Sequence, residues 1–235
     1  MFSIADNQSA IRKRMASACA RVNRDPAGVQ LIGVTKTVAL DRIREGVEAG
    51  LTILGENYVQ EAGKKVGALQ DLEVTWHFIG HLQSNKAKTA IELFDLIHTV
   101  DRKSLARELN SLAQKRGQAV NILLQVNVGE EETKSGTSPT ELSSLFSYAS
   151  SLDGLSVRGL MTLPPYLDDP EQVRPFFRQL RESLDRMRDR ARRPELLTEL
   201  SMGMSHDFEV AIEEGATLIR VGTALFGARK AASDR

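Results

Sequence analysis

Apolar positions along the chain switch between two spacings. At the start they fall at Ile11, Met15, Ala18, Cys19 and Val22, a helical spacing with one buried stripe. Gly28 ends that unit, and the run LIGVT from Leu31 to Thr35 follows. It is short, apolar and rich in branched residues, which predicts a buried strand. Leu40, Ile43 and Val47 then return to helical spacing, opened by Asp41 and closed by Gly50. Further strand-like runs are Leu51–Leu54, Val74–Ile79, Leu96–Val100, Val120–Val126, Leu155–Leu160, Leu197–Met202 and Thr217–Val221, which brings the strands to eight. Helical patterns stand between them at about 57–69, 82–93, 102–116, 139–151, 170–192 and 205–214. Asp101, Ser138 with Pro139, and Asp169 with Pro170 are the expected start signals of three of them, a cap residue before proline being a favoured helix opening.

Strands that alternate with helices pair in parallel through right-handed crossovers. Eight such units in 235 residues predict an α/β fold: one (β/α)8 barrel with an extra N-terminal helix able to plug or cover one end. A doubly wound open sheet is the alternative. No linker or repeat divides the chain, so residues 1–235 are expected to form one domain.

Composition narrows the function. Basic and acidic residues number 31 each, so the net charge is zero, whereas a nucleic-acid binder normally shows a basic excess. Apolar runs stop far short of the roughly 20 residues that span a bilayer, and the first residues lack the apolar stretch of a signal peptide. Cys19 is the only cysteine, which excludes an internal disulfide and a Cys-rich metal site. The expectation is a cytoplasmic protein with neither nucleic-acid nor membrane partners. Nothing signals an obligate dimer, so a monomer is expected.

In barrels of this kind chemistry sits where strands end. Lys36 directly follows LIGVT. Desolvation at the barrel mouth lowers the pKa of such an amine, and a neutral amine attacks carbonyls to form Schiff bases. Taken alone, Lys36 reads more simply as a lysine that snorkels to solvent at the strand's end. Ser201–Ser205, SMGMS, opens the helix after the seventh strand, and Ser205 is expected as its N-cap. Such a start favours a phosphate, or is a plain cap. In the eighth strand, alternation sets Leu218, Arg220 and Gly222 on one face and Thr217, Ile219 and Val221 on the other. A buried arginine must be paired. Gly222 and Thr223 then lie beside SMGMS, where barrel enzymes often bind phosphate. An amine, a phosphate cradle and an inward arginine at one barrel end together suggest pyridoxal 5′-phosphate.

At this point the chain resembles the pyridoxal phosphate homeostasis proteins, similar in fold to the N-terminal domain of alanine racemases. The matching segments are VTKTV at Val34–Val38, GENYVQE at Gly55–Glu61, HFIGHLQSNK at His77–Lys86, KSG at Lys134–Gly136, RGLM at Arg158–Met161, SMGMSHD at Ser201–Asp207 and IRVGTALFG at Ile219–Gly227. The resemblance implies that Lys36 holds the cofactor aldehyde as a Schiff base and that Arg220 faces the pyridine nitrogen. Ser205, Gly222 and Thr223 would bind the phosphate, with Ser201 and Met202 close by, and Asn57 and Met161 would line the cofactor's flank. His81 and His206 depart from the residues that many relatives carry, such as proline and aspartate.

Intracellular homeostasis of the cofactor is the function this implies, without a catalytic residue, and apo-enzymes that use the cofactor are the recipients it suggests. A racemase or related enzyme is the alternative. Two-domain racemases draw a second base, a tyrosine, from an additional β domain, for which this length is expected to leave no room. Tyr166, after Pro164–Pro165, is the local tyrosine to consider. His77 and His81 are four apart but straddle a strand and a loop, so no metal site is expected. The run Arg174–Arg193 holds eight arginines and three acids with helical apolar spacing, which predicts a solvated helix face.

Overall fold

The structure is a computed structural model that describes residues 3–227 apart from Glu132, which, like both chain ends, lies outside the described residues. Eight parallel strands close into a barrel in sequence order: β1 (Gln30–Val34), β2 (Ile53–Glu56), β3 (Thr75–Phe78), β4 (Leu96–Val100), β5 (Val120–Val126), β6 (Leu155–Thr162), β7 (Glu199–Met204) and β8 (Leu218–Val221). The last strand pairs with the first, Ile32 opposite Arg220 and Gly33 opposite Val221. The helices are α1 (Ile4–Arg21), α2 (Leu40–Glu48), α3 (Val59–Ala68), α4 (Ala87–Leu93), α5 (Lys103–Arg116), α6 (Leu142–Ser150), α7 (Arg174–Arg188), α8 (Phe208–Glu213) and the four-residue α9 (Thr223–Phe226).

Strand alternation divides the core in two. Ile32, Ile53, Leu96, Leu123, Met161 and Leu218 pack together as one cluster, the filling of the barrel. Their strand neighbours, among them Leu31, Leu54, Ile97, Ile122, Leu124, Leu160 and Ile219, join the larger cluster beneath the helices. Among the described residues no helix is long and apolar enough to cross a membrane.

Several expectations shift in detail. Strands β2 and β7 begin two residues late. Leu51 and Leu197 spend their N–H groups on the preceding turns, Leu51 on Gly46 O and Leu197 on Pro194 O, each at 3.0 Å. Asp101 does not cap α5: Arg102 stands at the cap, and Asp101 bonds the Arg102 guanidinium at 2.6 Å. Ser138 and Asp169 do accept from nearby N–H groups, but each opens a short turn before its helix proper. Ser205 does not cap α8. Gly203 at φ +89° turns the chain there, so α8 starts only at Phe208 and Asp207 accepts the Met204 N–H instead.

The leading helix covers neither end of the barrel. A capping box between Ser3 and Asp6 starts it, and it lies along the outside against α2, α8 and α9. Arg14 grips Glu209 of α8 through two bonds of 2.9 and 2.7 Å. The arginine-rich helix α7 is an ion-pair face. Arg174, Arg178 and Arg181 all reach the buried Glu214, at 3.2, 3.0 and 3.1 Å.

Candidate functional site

The C-terminal strand ends gather most of the expected residues. β1 ends at Val34, paired with Gly55 of β2, and the chain runs on through buried Thr35 to half-buried Lys36. Gly222, just past β8, lies against the same strand: a Cβ placed on it would stand 3.4 Å from Val34 Cβ. Glycine therefore keeps open the space between the end of β1 and the end of β8. Just past β7, the Ser205 hydroxyl lies 3.4 Å from both the Ala224 N–H and Thr223 Oγ1. Those contacts are long, so Ser205 and Thr223 retain hydrogen-bonding capacity toward a further partner. Ser205, Gly222 and Thr223 thus form one cluster of hydroxyls and backbone donors.

Arg220 stands inside the barrel as alternation predicts and is 3% exposed. Its guanidinium donates to Ser201 Oγ at 2.5 Å and to the Thr162 carbonyl at 2.8 Å. Burial lowers its pKa to about 10, with nearby Asp207 opposing the shift, so it is a cation at neutral pH. Met161 is wholly buried in the barrel filling and pairs in register with Ser201. Met202 does not face this interior. Alternation turns it outward into the core beneath the helices, which leaves only its backbone near the site. Asn57 follows β2, and its Oδ1 is buried without a hydrogen-bond partner among the described residues. The backbone of Asn57 packs so tightly on Gly80 that a Cβ there would fall 2.0 Å from Asn57 O.

A polar chain runs down the barrel axis from Arg220 and went unread in the sequence. Because Ser201 Oγ accepts from Arg220, its proton goes to His98 Nδ1, 2.9 Å away. His98 therefore carries its proton on Nε2 and donates to His77 Nδ1 at 3.1 Å. Both rings are neutral: burial pushes His77 down to about 4, and burial, then His77 and Arg220, push His98 well below the usual range. A histidine whose folded pKa is depressed contributes stability that is full above the unfolded value near 6.5 and is lost as pH falls toward the folded one. His77 alone should cost about 2 kcal/mol between pH 7 and pH 5. Urea unfolding at the two pH values checks this, and the double variant His77→Gln, His98→Asn should show a visibly smaller difference.

His81 and His206 are peripheral. His81 is exposed beside Ser135, at 3.1 Å. His206 Nε2 lies 3.1 Å from the Leu167 and Asp168 carbonyls, and its ring lies 5.1 Å from that of Tyr166, tilted by 31°. Among the described residues no group of His, Cys, Asp and Glu could hold a metal. Lys134 Nζ reaches the Pro164 carbonyl at 3.0 Å, which ties two mouth loops together. Behind Lys36 lies a buried ion cluster of Lys65, Glu56 and Glu61, also unread in the sequence.

Residues 6–230 match the family model for the alanine racemase N-terminal domain. The chain is 51% identical to a pyridoxal phosphate homeostasis protein of Aquifex aeolicus, over 97% of this chain and 100% of that protein. It is 41% identical to the protein of the same name from Escherichia coli K12, over 97% and 98%. Among solved structures, PipY of Synechococcus elongatus with PLP bound superposes with a TM-score of 0.84 at 39% identity, covering 96% of this chain and all of that one. An alanine racemase from Corynebacterium glutamicum shares the fold, with a TM-score of 0.74 at 15% identity, covering 98% of this chain and 63% of that one.

Proposed function

Because the chain belongs to the alanine racemase N-terminal domain family, in the branch of the pyridoxal phosphate homeostasis proteins, we propose that it binds pyridoxal 5′-phosphate through Lys36 and holds it in reserve for other proteins. One observation carries this reading. Half-buried Lys36, wholly buried and protonated Arg220, and the Ser205, Gly222 and Thr223 cluster meet at a single end of the barrel. When bound, pyridoxal phosphate supplies an aldehyde that condenses reversibly with a primary amine. The residues fit such a group: a glycine-lined gap beside Val34, hydroxyls with capacity to spare, and a buried orphan acceptor on Asn57.

Each residue then has its own task. Lys36 offers the amine. Ser205 and Thr223, with the backbone N–H groups of 222–224, offer donors to the phosphate. Arg220, fixed by Ser201 and Thr162, presents a permanent cation to the pyridine nitrogen and disfavours its protonation, which limits the ring as an electron sink. Asn57 and the barrel filling around Met161 form the flank. Thr37 and Thr223 are solvent-exposed on either side, which suits exchange of the cofactor with apo-enzymes, the partners this reading implies.

The phosphate assignment gives a direct test. A hydrogen bond to a charged group is worth about 1.5–3 kcal/mol, hence roughly tenfold or more. Ser205→Ala combined with Thr223→Val should weaken retention of pyridoxal phosphate in ultrafiltration by at least that factor. Capture of pyridoxal, which has the aldehyde but no phosphate, should stay unchanged. Equal losses for both compounds, or none for either, would move the phosphate elsewhere.

A further inference from the structure

The two peptide groups that flank Lys36 are held by one buried ion cluster. Lys65, on α3, directs its ammonium to three acceptors: the Thr35 carbonyl at 2.5 Å, Glu56 Oε1 at 2.7 Å and Glu61 Oε1 at 2.6 Å. An ammonium has three protons, so its donors are saturated. The same Glu61 oxygen accepts the backbone N–H of Thr37 at 2.7 Å. Thr35 adds its hydroxyl to Glu56 at 2.6 Å. The carbonyl before Lys36 and the N–H after it are therefore tied to one ammonium–carboxylate pair.

Two facts speak against a plain stabilising role. The Lys65 and Glu56 side chains are 8% and 0% exposed, and a buried ion pair often does no better for stability than apolar packing. Thr37 moreover sits at φ +61°, a conformation that β-branched residues rarely adopt. Backbone strain of this kind persists only where the surroundings impose it, and it gathers at functional sites. Here a turn closed by the Val38 N–H on the Thr35 carbonyl at 2.9 Å sets it, and Glu61 secures that turn by accepting the Thr37 N–H, next to the one amine the site needs.

We propose that Lys65 and Glu61 are positioning residues for Lys36: by fixing both neighbouring peptide groups they set the direction in which its side chain leaves β1, and so the approach of its amine to an aldehyde. This rests on the reading of Lys36 as the attachment point. Small misplacements of a reacting group cost up to about 10²-fold in rate.

The test measures how fast pyridoxal phosphate becomes borohydride-fixable on the Lys36 peptide, in wild type and three variants. Lys65→Met and Glu61→Ala should slow attachment roughly tenfold or more, whereas Glu61→Gln, which keeps an acceptor for the Thr37 N–H, should stay within about threefold of wild type. A second readout needs no cofactor. Acylation of the Lys36 amine by a small anhydride should speed up in Lys65→Met and Glu61→Ala, because the released turn frees the side chain, while Cys19, wholly buried in the core, stays protected from thiol reagents. Slower capture with faster acylation in a closed fold is a signature that loss of structure does not give. Wild-type attachment rates in the variants would overturn the proposal. If wild type itself is never fixed at Lys36, the reading beneath it fails instead. Should Lys65→Met expose Cys19, Glu61→Ala against Glu61→Gln decides the matter, since Glu61 lies at the 28%-exposed rim of the cluster: restoration by glutamine supports positioning, and equal rates refute it.

Discussion

Replacing Lys36 with alanine should leave a folded protein that can no longer be covalently loaded. In wild type, borohydride added to the protein with pyridoxal phosphate is expected to leave the reduced cofactor mass on the peptide that contains Lys36. In Lys36→Ala that mass should fall from stoichiometric to undetectable. The fold should survive because the side chain lies past the end of β1, half-buried and outside both core clusters. Lys65 and Lys134 are poorly placed to take over. Lys65 has all three protons committed, and Lys134 is tied to Glu131 and the Pro164 carbonyl. Non-covalent retention should persist in the variant, since Arg220 and the phosphate cluster are untouched. A label that maps to Lys134 in wild type would refute the assignment.

The loaded protein should be a very poor racemase. Moving a proton from one face of an amino acid to the other needs a group on each side, and general acid–base groups contribute about 10²–10⁴-fold each. Lys36 can serve one face. Its counterpart in two-domain racemases is a tyrosine, and the three tyrosines here are engaged elsewhere or stand in solvent. Tyr58 and Tyr166 are 58% and 70% exposed, the latter beside the His206 ring, and Tyr148 of α6 lies under Lys103. With L-alanine as substrate, D-alanine measured by chiral chromatography should therefore form at least about 10²-fold more slowly than the 1–10³ per second of ordinary enzymes. Turnover in the ordinary range that vanishes in Lys36→Ala would promote the racemase reading over storage.

The barrel was legible because its signal is local and repeated: eight branched apolar runs, each followed by a helical pattern. The positions of Lys36 and Arg220 in the fold were legible for a related reason, since a strand end and strand alternation are short-range facts. The misplaced boundaries at Leu51 and Leu197 share one cause. An apolar residue before a strand can cap the preceding turn, and hydrophobicity does not distinguish the two uses. Ser205 failed as a cap because Gly203 bends the end of β7, a feature set by packing on Phe208 and Ala211. The polar partners were harder. His98 bonds Ser201 across 103 residues, and Lys65 looks in sequence like an ordinary surface lysine of an amphipathic helix. His98 alone leaves a readable trace, a polar residue in the apolar strand LIHTV, as Arg220 is in LIRV.

The pairing of β8 with β1 also bears on how the protein is made. β1, which leads to Lys36, and β8, which carries Arg220, are brought together only when the ring closes along that last seam. If Lys36, Arg220 and the Gly222–Thr223 donors act as proposed, a ribosome-bound nascent chain that has not yet released β8 should react with an aldehyde yet fail to retain a phosphate. On the proposed reading, capture of the vitamin is thereby deferred until β8 has joined the ring. The colour of the loaded protein would serve as an intrinsic gauge of ring closure during refolding, and a circular permutant opened between β4 and β5 should acquire it early, because there the two halves of the site are made consecutively.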